Sequence, residues 1–150
     1  MDNLHLRPAT ASDKEICYRI KQLSLKPYVN TIWGWDEMVQ LKAHNDHFSR
    51  SATTIIIYKN KPIGYYELVE TNAHFILKNI LIENQFQNLG IGNFVMQLLI
   101  ENANALEKSI QLKVFKVNGK AQKLYSKLGF NVVEITEYHL KMQKNFEAIT

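Results

Sequence analysis

The sequence predicts a layered α/β fold, one mixed sheet with helices on both faces, and three observations carry that expectation. The apolar period switches between two and about 3.6 along the chain, so strands and helices alternate. The order read from those switches is strand, helix, helix, three strands, helix, strand, helix, strand. Sheet with helices on both faces is the layer arrangement that buries all these apolar stripes. The 150 residues also match the common domain size of roughly 100–150 residues, which gives one domain over residues 1–150 with one core.

Leu4-His5-Leu6 alternates and Arg7-Pro8 ends it as a short strand. Ser12-Asp13-Lys14-Glu15 has capping-box spacing, a hydroxyl followed three residues later by a carboxylate. Ile16, Ile20 and Leu23 then recur at helical spacing with Cys17 on the same side, and Pro27 is expected to close that helix. A second helix is expected from near Trp35 or Asp36 towards His47, through Met38, Val39, Leu41 and Lys42. From Ala52 the pattern becomes β-rich. Thr53 to Tyr58 and Ile63 to Val69 flank the turn residues Lys59-Asn60-Lys61-Pro62, which reads as a hairpin. His74 to Ile82 has little polar alternation and reads as a strand buried on both faces. After a glycine turn, Phe94, Val95, Leu98, Leu99 and Ile100 mark an apolar helix, and Ile110 to Phe115 a strand. Asn118 starts a helix carrying Ala121, Leu124, Tyr125 and Leu128, Gly129 stops it, and Phe130 to Leu140 supplies one or two last strands.

Composition narrows the function classes. A single cysteine, Cys17, cannot make an internal disulfide or a structural zinc site, and a small core hydrophobe is its simplest role. No apolar run suits a signal peptide or a membrane helix, so a cytoplasmic protein is expected. The formal charge of +4 is spread over the whole chain without a basic run interleaved with aromatics. Nucleic acid is therefore not an expected partner. His44 and His47 are three apart, but no third ligand is placed near them, so they read as surface residues and no metal is expected.

The chemistry concentrates at Gln87-Asn88-Leu89-Gly90-Ile91-Gly92, between an apolar strand and a helix. Glycines let the backbone approach a ligand, and the first N–H groups of the helix point outward at its positive end. Gln87 adds a side-chain amide at the mouth of this turn. A dinucleotide fingerprint would need a third glycine where Val95 stands. A P-loop fails too, because Gly119-Lys120 is followed by Ala121 and preceded at the required distance by Val114.

The same six residues resemble the Q/R-x-x-G-x-G/A signature of the GNAT acetyltransferases. The stretch Asn118-Gly119-Lys120-Ala121-Gln122-Lys123-Leu124-Tyr125-Ser126-Lys127-Leu128-Gly129-Phe130 resembles that family's second signature, N-x-x-A-x-x-L/F-Y-x-K-x-G-F. The resemblance implies a mostly antiparallel GNAT sheet, with acetyl-CoA or another short acyl-CoA as donor. It implies that backbone amides from Gln87 through Asn88, Leu89, Gly90, Ile91 and Gly92 to Asn93 cradle the pyrophosphate. The strand end at Ile80, Leu81 and Ile82 would pair with the pantetheine arm. The N–H of Ile80 would polarise the thioester carbonyl, Asn118 would bond the cofactor arm, and Tyr125 would protonate the leaving thiolate.

The glutamate that several relatives carry on the strand before the glycine turn is absent here, where Phe75, Ile76 and Leu77 stand. Glu67, Glu70, His74 and Glu37 are the candidates for the base, a water relay is the other route, and Glu83 reads as a solvated loop residue. Both tryptophans fall in the segment Tyr28 to Glu37, where the resemblance implies an acceptor wall. Tyr28, Trp33 and Trp35 offer aromatic faces, Asp36 and Glu37 could hold an ammonium, and Gln40 lies one turn on. The alternative is that the indoles close the core and the acids cap a helix. The expected function is acetyl transfer to a primary amine of a small molecule or peptide, in a monomer or homodimer. A degenerate acyl-CoA sensor without turnover is the alternative.

Overall fold

The computed structural model describes residues 1–148. Its strands are β1 (Leu4–Pro8), β2 (Thr53–Tyr58), β3 (Lys61–Glu70), β4 (His74–Ile82), β5 (Ser109–Phe115), β6 (Asn131–Ile135) and β7 (His139–Lys144). The helices are α1 (Lys14–Ile32), α2 (Glu37–His47), α3 (Ile91–Ala105) and α4 (Gly119–Lys127). The strands lie in the order β1-β2-β3-β4-β5-β7-β6. The β4–β5 pair is parallel, whereas β1–β2, β2–β3, β5–β7 and β6–β7 are antiparallel. This is the mixed, mostly antiparallel sheet expected from the sequence. Among the described residues no helix is long and apolar enough to cross a membrane.

The chain divides into two compact units. One holds Met1–Glu67 with Asn79–Leu89, and the other holds Leu68–Lys78 with the chain from Gly90 onward. In the N-terminal unit Ala9, Cys17, Ile20, Ile55, Tyr65 and Leu81 form an apolar cluster. The cap of the first helical segment lies two residues earlier than the sequence suggests. Thr10 and Asp13 form the capping box around a single 3-10 turn, Ala11–Asp13. Asp13 is chosen because Arg7 grips both its carboxylate oxygens, at 2.7 and 2.9 Å.

Helix α1 does not stop at Pro27 but runs through it to Ile32. A mid-helix proline costs roughly 3 kcal/mol by removing one backbone bond and crowding the preceding turn. Burial on both sides of it, Ser24 before and Val29 after, overrides that local preference. The buried face is Cys17, Ile20 and Ser24, while Ile16 and Leu23 are exposed, a rotation of the stripe by about one residue. The β2–β3 hairpin turns at Lys59 and Asn60, both with positive φ, as a two-residue turn that follows strand twist.

In the C-terminal unit, β4 pairs with β5 over four residues only, His74–Leu77 against Ser109–Leu112. Strand β4 is not buried on both faces throughout. Phe75 and Leu77 are buried, but Lys78 is exposed, so this part alternates. Helix α3 buries Ile91, Val95, Met96, Leu99, Ile100 and Ala103. Helix α4 ends in a tight cap, with Gly129 at φ +99° and the N–H of Phe130 bonded to the Tyr125 carbonyl at 3.0 Å.

Candidate active site

In the N-terminal unit the end of β4 is held from several directions. The Ile82 carbonyl accepts the Gln87 amide at 2.8 Å and has the Ser24 hydroxyl at 3.1 Å. The Glu83 N–H donates to the Ile63 carbonyl at 2.8 Å. Gly64 lies so close that a Cβ there would run into the Leu81 carbonyl. Leu81 and Ile82 are buried and Ile80 half-buried, so Ile80 is the residue of the three with partial access to solvent. The Gln87 side chain thus faces back onto β4 and Asn84 rather than standing free at the turn. Glu83 is buried at 5 % exposure, which corrects its reading as a solvated loop residue.

The same unit carries the aromatic segment. Tyr28 lies in α1, and Trp33 ends the helix with its N–H on the Val29 carbonyl at 2.9 Å. Gly34 turns the chain at φ +79°. Asp36 caps α2 by accepting from the Val39 N–H at 3.1 Å. The capping role weighed for the acids therefore holds for Asp36. Glu37 does something else. Its Oε1 accepts from the Tyr18 hydroxyl and the Gln22 amide, both at 2.6 Å, and its Oε2 from the Trp35 indole at 2.8 Å. These bonds, that from Tyr18 foremost, hold the carboxyl below the ordinary glutamate range. Gln40 is half-buried one turn on.

His44 is buried, not a surface residue, and both its ring nitrogens are engaged. Nε2 lies 2.7 Å from the Lys14 carbonyl and Nδ1 lies 3.1 Å from Lys21 Nζ. Burial pushes Lys21 down, against the opposing fields of Glu67 and Cys17. Glu67 sits half-buried on β3 opposite Thr53. Cys17 is fully buried with its thiol pushed up to about 12, chiefly by burial, so it is a core residue. Asn88, at φ +64°, and the exposed Leu89 close this part of the chain.

In the C-terminal unit Gly90 begins α3 at φ +82°, and the first helical bond runs from the Phe94 N–H to the Gly90 carbonyl at 3.0 Å. Ile91, Gly92 and Asn93 precede that bond, so their N–H groups have no carbonyl of the helix to meet. Asn118 caps α4, its Oδ1 accepting from the Ala121 N–H at 3.1 Å, which leaves the amide NH₂ as its donor end. Tyr125 is buried, its ring against Phe130 at 5.8 Å, and its phenol is pushed up to about 12 by burial alone. His74 Nδ1 meets the Ser109 hydroxyl at 2.5 Å, and Glu70 is paired with Lys108 at 2.9 Å.

Sequence reasoning missed Ser24, Gly64, Tyr18, Gln22, Lys21 and His44. Tyr18 and Gln22 stand four apart on one helix face, which is a visible signal. Their partner Glu37 is 15 to 19 residues away, and no spacing rule reaches that far.

A family model described as the acetyltransferase (GNAT) family matches residues 17–130. No curated protein sequence matches the chain. Among solved structures, the chain is similar to the PaiA N-acetyltransferase of Thermoplasma acidophilum in complex with coenzyme A. The TM-score is 0.74 at 18% identity, covering 95% of this chain and 99% of that one. It is also similar to the ribosomal-protein-S18-alanine N-acetyltransferase of Escherichia coli, with TM-score 0.73 at 17% identity, covering 98% and 96%. A third is a GNAT family acetyltransferase from Elizabethkingia anophelis with acetyl-CoA bound, with TM-score 0.69 at 20% identity, covering 97% and 100%.

Proposed function

The chain belongs to the GNAT acetyltransferases, and from that premise we propose that it transfers an acetyl group from acetyl-CoA to a primary amine of a small molecule or peptide. Direct attack in a ternary complex, within one domain spanning residues 1–150, is the mode proposed. One observation carries the donor side: Gly90, in the left-handed region, opens a fifteen-residue helix whose N–H groups at Ile91, Gly92 and Asn93 are unspent. Such a cradle suits the pyrophosphate of an acyl-CoA, whose thioester supplies the activated acetyl group.

The chain's own residues do the rest. Backbone from Gln87 to Asn93 holds the phosphates, Ile80, Leu81 and Ile82 hold the arm as an added strand would, and the Asn118 amide donates to it. The Ile80 N–H donates to the thioester oxygen, on which charge grows as the amine attacks. As the new C–N bond forms and the C–S bond breaks, the Tyr125 hydroxyl gives its proton to the departing sulfur. Its raised pKa keeps that proton in place until then. The acceptor meets Tyr28, Trp33, Trp35, Glu37 and Gln40, with the Glu37 carboxylate facing an ammonium. Glu67 and His74 are the groups proposed to take the amine proton, directly or through water.

Thiol release from acetyl-CoA across a panel of primary amines tests this reading. Release with at least one amine, and an acetylated amine by mass spectrometry, supports it. Cofactor binding without release on any amine would remove the acceptor side and leave a sensor.

A further inference from the structure

Among the described residues His44 is the one buried histidine, and its two bonds allow a single protonation state. An ammonium has only donors, so the Lys21 Nζ at 3.1 Å requires a lone pair on Nδ1. The Lys14 carbonyl, 2.7 Å from Nε2, requires the hydrogen there. The groups packed around the ring are all on α1 or just beyond α2. Tyr18 lies at 5.3 Å between ring centroids, Phe48 at 5.6 Å, and the charges acting on it are the cations of Lys21 and Lys14. Among the described residues no carboxylate is among the charges that act on it. Glu67 and Cys17 act on Lys21, one step removed.

We infer that His44 is a positioning residue that fastens its end of α2 to α1 only as the neutral imidazole, and that its protonation loosens that end while Glu37 still ties the start of α2 to Tyr18 and Gln22. Acid would place an N–H on Nδ1 against the Lys21 ammonium and break the fastening from within. Burial and the two cations hold His44 below the ordinary histidine range, so the fastened state persists at neutral pH. Glu37 stays ionised through the same interval, because its three donors hold it below its own ordinary range. The consequence for turnover rests on the proposed acceptor wall: amine binding weakens as the junction loosens.

Both tryptophans lie where α1 hands over to α2, and Trp35 donates to Glu37 at the start of α2, which makes their emission the readout. The wild-type protein is expected to show a reversible emission change between about pH 7.5 and about pH 4.5, with its midpoint below the ordinary value of about 6.5. His44→Gln keeps a donor for the Lys14 carbonyl and cannot titrate, so the change should vanish. Lys21→Met removes one of the two cations acting on the ring, so the midpoint should rise while burial still keeps it below the ordinary value. A flat wild-type emission, or an unchanged transition in His44→Gln, overturns the inference. Should His44→Gln not fold, an unmoved midpoint in Lys21→Met overturns it equally. The ratio of amine KM between wild type and His44→Gln should rise roughly fivefold or more on acidification across the transition, with the amine's own titration cancelled. An emission transition with a flat ratio would take the junction out of the acceptor site while leaving the fastening intact.

Discussion

In the C-terminal unit the groups proposed to serve the donor are held by residues next to them in the chain, whereas His74 there meets Ser109 from 35 residues away. Gly90 opens α3, Asn118 caps α4 three residues from Ala121, and Tyr125 sits five residues before the Phe130 that caps its helix. In the N-terminal unit the side chains of the proposed acceptor side are held from afar. Glu37 is gripped by Tyr18 and Gln22, and His44 by Lys14 and Lys21. Binding an anion through backbone N–H groups needs only the right turn, which a short motif can specify. Orienting a carboxylate or an imidazole needs side chains from another element, and those are chosen by packing. The difference teaches why the proposed donor side could be read from motifs and the proposed acceptor side could not.

Four substitutions sharpen or break this contrast. The largest effect is expected from Gly92→Glu, which sets a side chain and a negative charge at the proposed phosphate cradle. Acetyl-CoA affinity should fall by about a hundredfold or more, since like charges in contact cost several kcal/mol. Calorimetric titration on the folded variant reads it, and normal binding would place the phosphates elsewhere. Next, Tyr125→Phe should lower kcat by about a hundredfold, the usual scale for one proton-transfer group, while acetyl-CoA affinity barely changes. Unchanged turnover would remove Tyr125 from the chemistry and leave it a core residue.

Asp13→Asn tests a side-chain grip of the N-terminal unit, spanning six residues of chain, through stability rather than activity. It should cost about 1–2 kcal/mol at neutral pH, from charge-assisted bonds of a buried carboxylate to a partly exposed guanidinium. The Arg7 guanidinium holds Asp13 at about 2, below its ordinary 3.8. A depressed carboxyl contributes stability that is present above 3.8 and lost as pH falls towards about 2. Urea unfolding across that range should show a slope in the wild type that Asp13→Asn flattens; parallel slopes would falsify the assignment. The smallest effect is expected from Glu37→Gln, which removes the charge but keeps the shape. Amine KM should rise about fivefold with kcat little changed, as for one exposed ion pair. An unchanged KM for every cationic amine would reduce Glu37 to a brace between α1 and α2.

The strands and helices were legible because their signals are local. The β2–β3 turn, the span of β4 and the glycine stop after α4 each follow from residues a few positions apart. Errors arose where burial or a side-chain contact outvoted a local rule. Pro27 failed to end α1 because flanking residues bury, the cap moved from Ser12 to Thr10 because Arg7 claims Asp13, and His44 left the surface because Lys14 and Lys21 complete its bonds. Glu83, read as a loop acid, is buried as its backbone pairs with Ile63.

By itself the sequence determined the element order, the glycine turn before α3 and the Asn118-to-Phe130 signature, because backbone conformation is set by near neighbours. Tertiary structure alone decided the rotation of α1 about its axis, the three donors on Glu37 and the two partners of the His44 ring nitrogens. Those depend on which groups meet across 15 to 30 residues of chain, as in the Gln22 amide with Glu37 and the Lys14 carbonyl with His44, and meeting is a property of packing.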